Sequence, residues 1–378
     1  MKKMKVAFIA HPLTVGMLAT IVGFEPWFIK LFDKNFVRQI LKKTKPFIFL
    51  RFMDLVSKTG KKIDFIAVAC PLLPDQMVTL DEEFVLQRIV DAVKVAKNDG
   101  AEIVSLGGFT SVIGNEGQKV AEAVDISVTS GNTFTASLAI RGIIEAAKAV
   151  RLDLDRAHCA VIGATGDIGS ACTKFLAGRV RSMALGARNE KKMGKFADEI
   201  SKFKKIDITI HKRTEDAIKN ADVILSATSA LTTIIDPLKL KAGAIVCDVA
   251  LPANIAREVS RIRKDVLVFE GGLSKMYLND QVKNKKWDAL MPSNGIYGCL
   301  AEALLLGFEN RKENYSIGRG NISQEKIKEI LNIAEKHGYG LSNFFCGDKF
   351  YSQDDMSNFS KIIVKNNHTQ ELKSYVDK

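Results

Sequence analysis

The sequence has no CxxC pair and no cluster of cysteine with histidine, although six cysteines stand at positions 70, 159, 172, 247, 299 and 346. That pattern argues against a structural zinc site and against a disulfide framework in a chain of 378 residues. It suits a reducing cytoplasm, and no metal is expected. Internal repeats and low-complexity tracts are also missing. With 47% hydrophobic and 26% charged residues, composition excludes collagen-like, disordered and coiled-coil classes. Charge is absent from Val6 to Phe24, just after Lys2, Lys3 and Lys5, in the outline of a signal sequence. However, His11, Pro12, Thr14, Gly16, Thr20 and Gly23 interrupt the run, and no small-residue cleavage site follows. A spanning helix needs about 20 mostly apolar residues. The stretch reads better as a strand (Val6–Ala10), a Pro/Gly turn and a short apolar helix. No nucleic-acid-binding motif is present.

What is plentiful is positive charge, with 55 basic against 43 acidic residues for a net +12. Ten of the basic residues fall between Glu25 and Lys62, opposed only by Glu25, Asp33 and Asp54. The plain reading is a solvated basic surface. The sharper one is a docking face for an acidic partner or an anionic bilayer surface. Phe24, Trp27, Phe28, Leu31, Phe32, Phe36, Phe47, Phe49 and Phe52 interleave with these charges, which fits a lipid or acyl-chain environment better than nucleic acid. The expected location is cytoplasmic, with peripheral membrane contact through this region.

Short apolar runs alternate with helical periodicity along the chain. Val6–Ala10, Phe65–Ala69, Glu102–Leu106 and Asp125–Thr129 read as strands, and Asp81–Asn98 and Phe134–Val150 as helices. Strands then recur at Cys159–Ile162, Ser182–Gly186, Ile206–Ile210, Asp222–Ser226, Ala244–Asp248 and Val266–Phe269. Alternation of this kind implies parallel sheets covered by helices, with ligands beyond the carboxyl ends of the strands. The expected architecture is α/β. An N-terminal α/β domain with a mainly parallel sheet (1–155) precedes a doubly wound Rossmann domain (156–278). A helical segment carrying Cys299 (279–345) packs back, and a polar, poorly packed tail follows (346–378).

Between the strand at Cys159–Ile162 and the next helix stands Gly163-Ala164-Thr165-Gly166-Asp167-Ile168-Gly169. Strand–glycine turn–helix is the context that turns a glycine pattern into a dinucleotide fingerprint. Gly163 permits the tight turn, Gly166 lets the backbone approach a pyrophosphate at the helix N-terminus, and Gly169 allows close packing. An acidic residue is missing at the end of the second strand, where one would bind the ribose of NAD. Arg188 and Asn189 stand there instead, with Lys191 and Lys192 close by. Arg188 can pair with a 2′-phosphate, so NADPH is the expected cofactor. Ser226, Ala227 and Thr228 end the fourth strand and border the nicotinamide side.

Cys299 falls in the first turn of an apolar helix spanning Ile296–Glu309, where the helix dipole lowers a thiol pKa. Glu302 shares its face and opposes thiolate formation. By physics alone, a buried core cysteine is a better reading than a nucleophile.

The stretches LGGFTSVI (Leu106–Ile113), TSGNTFTA (Thr129–Ala136), VIGATGDIGSA (Val161–Ala171), GARN (Gly186–Asn189) and GCLAEALLLGFE (Gly298–Glu309) resemble one family. It is that of the long-chain acyl-(acyl-carrier-protein) reductases, the aldehyde-forming enzymes of bacterial alkane biosynthesis. The similarity runs from about residue 4 to about residue 345, while the basic, Phe-rich Trp27–Lys62 region diverges from it. The resemblance implies NADPH, a fatty acyl thioester of acyl carrier protein or coenzyme A, and an acyl-enzyme on Cys299. Carrier protein would dock at the basic region, residues 25–62. Thr110, Ser111, Asn132 and Thr133 are positional candidates for oxyanion donors. His11 is a candidate proton donor or a structural cap. Two alternatives remain open: a shikimate-type NADP dehydrogenase working through Cys70 or a Lys/Asp pair, and a non-enzymatic NADP- or acyl-binding sensor.

Overall fold

The computed structural model describes residues 3–186, 189–277, 281–282, 284–292 and 295–376. The chain divides into two compact units: residues 1–135 with 273–342, and residues 136–272 with 343–378. The expected four consecutive segments and these two units divide the chain differently. The segment carrying Cys299 belongs to the first unit, because the Gly298–Phe308 helix packs on that unit's sheet.

The first unit is built on β1 (Met4–Ala10), β2 (Phe47–Val56), β3 (Lys62–Ala69), β4 (Ile103–Leu106) and β5 (Ser127–Thr129), in the order β2-β3-β1-β4-β5. β3, β1, β4 and β5 are parallel. β2 is an antiparallel edge strand that the sequence reading did not anticipate. β1 and β4 are almost wholly buried, which is why they read as unbroken apolar runs rather than alternating ones. The expected amphipathic helix is Glu82–Asn98, started by Asp81, whose carboxylate accepts the Phe84 N–H at 2.9 Å. Short helix Val15–Val22 follows β1 across the Pro/Gly turn, as expected.

The second unit holds β6 (His158–Ile162), β7 (Ser182–Gly186), β8 (Asp207–His211), β9 (Val223–Ser226), β10 (Ile245–Asp248) and β11 (Leu267–Glu270). All six are parallel, in the order β11-β10-β9-β6-β7-β8. This is the doubly wound Rossmann arrangement, reversing direction between β6 and β9. Register aligns Ile162 with Gly186 on one side and Ser226 on the other, and Ser226 with Asp248. The carboxyl ends therefore line up at the switch point.

The tail expectation needs correction. Gln353–Val376 is a helix, and Phe359 and Ile363 on it are buried, with Phe359 packed edge-on against Tyr351 at 5.7 Å. Two apolar side chains four residues apart anchor a segment whose overall composition is polar. No helix among the described residues is long and apolar enough to cross a membrane.

Candidate active site

In the second unit, β6 runs straight into the glycine turn. Gly163 has φ +91°, and a Cβ there would lie 2.4 Å from the Ala227 carbonyl oxygen. At Gly169 a Cβ would lie 2.2 Å from the Gly163 carbonyl oxygen. Both positions must be glycine for the turn to close onto β9 and the helix onto the turn. Gly166 caps the Asp167–Leu176 helix, and its N–H donates to the Gly163 carbonyl at 3.0 Å. Beyond the turn stands a helix N-terminus whose first N–H groups have no intrahelical acceptor, where anions are favoured. A cradle this free of side chains fits a dinucleotide pyrophosphate.

The neighbouring strand ends are organised by a residue that sequence reasoning missed. Ser226 and Thr228 both donate their hydroxyls to Asn254 Oδ1, at 2.8 and 2.6 Å. Asn254 is fully buried. Its backbone N–H and that of Ile255 donate to the Asp248 carboxylate at 2.7 and 3.1 Å. Burial pushes the Asp248 pKa up to about 6, against the pull of these backbone donors. The only sequence signal was a single polar residue in the apolar stretch Leu251–Ile255, just after a Rossmann strand. Asn189 caps the Glu190–Phe203 helix, its side-chain oxygen accepting the Lys192 N–H at 3.0 Å. Ala164 is buried, Thr165 and Ile168 are half-buried, and Ala227 lies against the turn. Arg188 lies outside the described residues.

The cysteine belongs to the first unit. All six cysteines are among the described residues; five are buried and Cys299 alone is partly open. It is also the one residue of the Gly298–Phe308 helix that is not buried. Two loops close around it. Gly131, φ +72°, brings its loop so near that a Cβ would lie 2.0 Å from the Cys299 Cα. Ser105 donates its hydroxyl to the Cys299 carbonyl at 2.5 Å. Burial pushes the Cys299 thiol up to about 12. The nearby backbone N–H groups of Leu300 and Gly108 pull it down, and the Glu302 charge adds a smaller upward push. The expected lowering by the helix N-terminus is thus outweighed by desolvation.

Glu302 does more than oppose ionisation. Its fully buried carboxylate accepts the Phe134 N–H at 2.8 Å and the Thr129 hydroxyl. Thr129 Oγ1 in turn accepts the N–H groups of Gly131 and Ser316, each at 3.2 Å. Ser316 donates its hydroxyl to Thr133 at 2.6 Å, and Asn132 donates to Glu116 at 3.2 Å. This network bolts the Thr129–Thr133 loop onto the helix that carries Cys299. Two more of the positional oxyanion candidates are likewise engaged within their loops: Thr110 donates to the Gly107 carbonyl at 2.9 Å and Ser111 to that of Gly108 at 2.8 Å. His11 accepts the Phe109 N–H on Nε2 at 3.1 Å, and burial pulls its pKa down to about 4. The imidazole is neutral and holds the loop that presents Gly108.

A model of the shikimate/quinate 5-dehydrogenase family matches residues 145–270, the second unit's nucleotide-binding core. The aminotransferase PigE of a Serratia species is 30% identical over 346 residues, 89% of this chain but 39% of its own. The chain thus spans about two fifths of that relative. A long-chain acyl-[acyl-carrier-protein] reductase of Synechococcus elongatus is 30% identical over 298 residues, 76% of this chain and 85% of its own. The chain belongs to that reductase family. A solved quinate dehydrogenase from Corynebacterium glutamicum, in complex with NAD, matches at 12% identity over 70% of this chain and 87% of its own, with a TM-score of 0.35. As in the dehydrogenase families it matches, the second unit of this acyl-(acyl-carrier-protein) reductase relative is an NAD(P)-binding domain. Of the family motifs read from the sequence, VIGATGDIGSA forms the glycine turn of the second unit. LGGFTSVI, GCLAEALLLGFE and TSGNTFTA as far as Thr135 belong to the first unit that holds Cys299, and GARN lies partly outside the described residues.

Proposed function

We propose that the protein reduces a long-chain fatty acyl thioester, carried by acyl carrier protein or coenzyme A, to the fatty aldehyde at the expense of NADPH. The observation that carries this reading is Cys299, the single open position on a buried helix, with the Gly131 loop closed against its backbone. At rest the thiol is protonated. Attack of Cys299 Sγ on the thioester carbonyl forms a new thioester and releases the donor's thiol, and the proton lost by Cys299 is the one the departing thiolate gains. Backbone N–H groups around the sulfur are suited to stabilising negative charge as it develops, typically worth roughly 3–4 kcal/mol per donor. Glu302, Thr129 and Ser316 position the loops and do not touch the acyl group.

The Gly163–Gly169 turn would hold the pyrophosphate, and Ser226, Ala227 and Thr228 would border the nicotinamide. When bound, NADPH would supply the hydride that takes the Cys299 thioester to aldehyde and frees the sulfur as a thiolate, which regains its proton from solvent. NADPH over NADH is supported by the absence of an acidic residue at the end of β7, where Arg188 follows in the sequence. It is supported also by the exposed Lys191 and Lys192, which stand beside Glu190 in the first turn of the next helix. The dehydrogenase-family match keeps a small-molecule substrate as second reading. Cys70 is a poor nucleophile for it, being fully buried where Cys299 is partly open.

The test is incubation with a radiolabelled long-chain acyl thioester without NADPH, beside Cys299→Ala, followed by an NADPH chase. Label that survives denaturation, requires Cys299 and leaves as aldehyde is the expected result. No label, with NADPH binding intact, would overturn the acyl-thioester assignment and favour the small-molecule dehydrogenase or the sensor.

A further inference from the structure

The basic, aromatic stretch after the first helix plays no part in the chemistry above, yet its structure is unusual. Phe24, Trp27, Phe28, Phe32 and Phe36 form an unbroken ladder of rings. Centroids lie 5.2 Å apart for Phe24–Phe28, 6.0 Å for Trp27–Phe28, 5.5 Å for Phe28–Phe32 and 6.3 Å for Phe32–Phe36. All five rings are exposed, as are Leu31 and Ile40, with Trp27 at 62% and Leu31 at 70%. Val37 and Leu41 of the Lys34–Lys43 helix face inward, onto Leu18 and Leu73, so the segment is anchored with its ladder outward. Phe36 and Ile40 share a helix face with Lys43, and exposed Lys34 and Lys45 lie at the two ends of the helix. The two acids of the stretch are engaged elsewhere: Asp33 caps the helix through the Asn35 and Phe36 N–H groups, and Glu25 lies 3.9 Å from Lys285.

We propose that this face is an interfacial membrane-docking surface that seats its aromatic ladder in the headgroup layer of an anionic bilayer. Soluble proteins rarely leave so contiguous an apolar patch in water. Cations alone would suit an acidic protein, but that chemistry leaves seven large apolar side chains without purpose. A bilayer interface takes both, since aromatic rings settle at headgroup depth while lysines reach anionic lipid. The inference does not rest on the reductase reading, because vesicle binding requires neither substrate nor cofactor.

The experiment is flotation of the full chain with phosphatidylcholine vesicles containing about one-third phosphatidylglycerol, beside vesicles of phosphatidylcholine alone. Binding is expected to the anionic vesicles and to weaken about tenfold or more as salt approaches roughly 0.5 M. Trp27 fluorescence should be quenched by bromine-labelled lipid, whereas Trp287 is buried against Phe52 and Phe65 and stays unquenched. Trp27→Phe should keep flotation and lose the quenching. Leu31→Glu with Phe36→Glu should abolish flotation, and Lys34→Glu with Lys43→Glu should weaken it, with circular dichroism showing both variants folded. Absence of flotation by the wild type, or flotation indifferent to these substitutions, would overturn the proposal. So would substitutions that instead dissociate a dimer in sedimentation or abolish capture of a purified carrier protein.

Discussion

Gly169 in the second unit and Gly131 in the first each admit a backbone atom that a Cβ would strike, at 2.2 Å and 2.0 Å. The atoms admitted differ. Gly169 approaches the carbonyl of Gly163, six residues earlier on the same turn, and the result is a bare helix end open to a ligand. Gly131 approaches the Cα of Cys299, from a part of the chain far away in sequence, and the result is a partly open sulfur hemmed in by loops. One site is a local device that any strand–turn–helix carries with it. The other exists only when β4, β5 and the Gly298–Phe308 helix have come together. The difference teaches where each site is vulnerable: the first through its own few residues, the second through any of its distant braces.

The comparison is broken most severely at the sulfur itself. Cys299→Ala is expected to lower turnover by roughly a thousandfold or more while leaving the dinucleotide dissociation constant unchanged, read by steady-state kinetics beside fluorescence titration. Next come the two glycines as a matched pair. Gly131→Ala should suppress acylation of Cys299 by a labelled thioester and spare dinucleotide affinity; Gly169→Ala should do the reverse. Each should also cost about 1–3 kcal/mol of stability, measurable by denaturant titration. Equal loss of both functions in either variant would show that the two sites do not behave separately.

A smaller effect is expected in the titration of the thiol. Because burial holds Cys299 at about 12, alkylation by iodoacetamide should keep rising about tenfold per pH unit through pH 10 instead of levelling near the ordinary thiol range. Glu302→Gln removes a negative charge that pushes the thiol up, so its alkylation profile should shift to lower pH. The smallest change belongs to Asn254→Ala. It strands the Ser226 and Thr228 hydroxyls, and dinucleotide affinity should fall about fivefold to tenfold, corresponding to roughly 1 kcal/mol.

The same contrast explains what the sequence made legible. The nucleotide turn was readable because strand, glycines and helix are contiguous. Every expected strand was found close to its expected place, most because buried parallel strands write themselves as apolar runs, although β8 is an open edge strand. β2 was hidden. Register shifts between Ile48 and Leu50, and again between Phe52 and Leu55, break its alternation, and exposed Arg51 and Asp54 sit among its apolar residues. The role of Glu302 was hidden for another reason. Its partners Thr129 and Phe134 lie 173 and 168 residues away, and the local view offered only Cys299 three positions before it. Asn254, likewise, acts on hydroxyls 28 and 26 residues upstream, across a strand pair that only the fold reveals.

The discontinuity of the first unit also bears on how the chain is made. Its sheet is complete once β5 has been synthesised, yet the helix that packs on β1 and β4 does not emerge until all of residues 136–272 have been translated. At ordinary elongation rates the nascent sheet waits roughly 10–30 s with an unfilled apolar slot. During that interval β1 and β4 lack the cover that the Gly298–Phe308 helix gives them in the folded chain. The nucleotide-binding sheet, synthesised within that interval, can form first, and the cysteine reaches the loops of the first unit's sheet only afterwards.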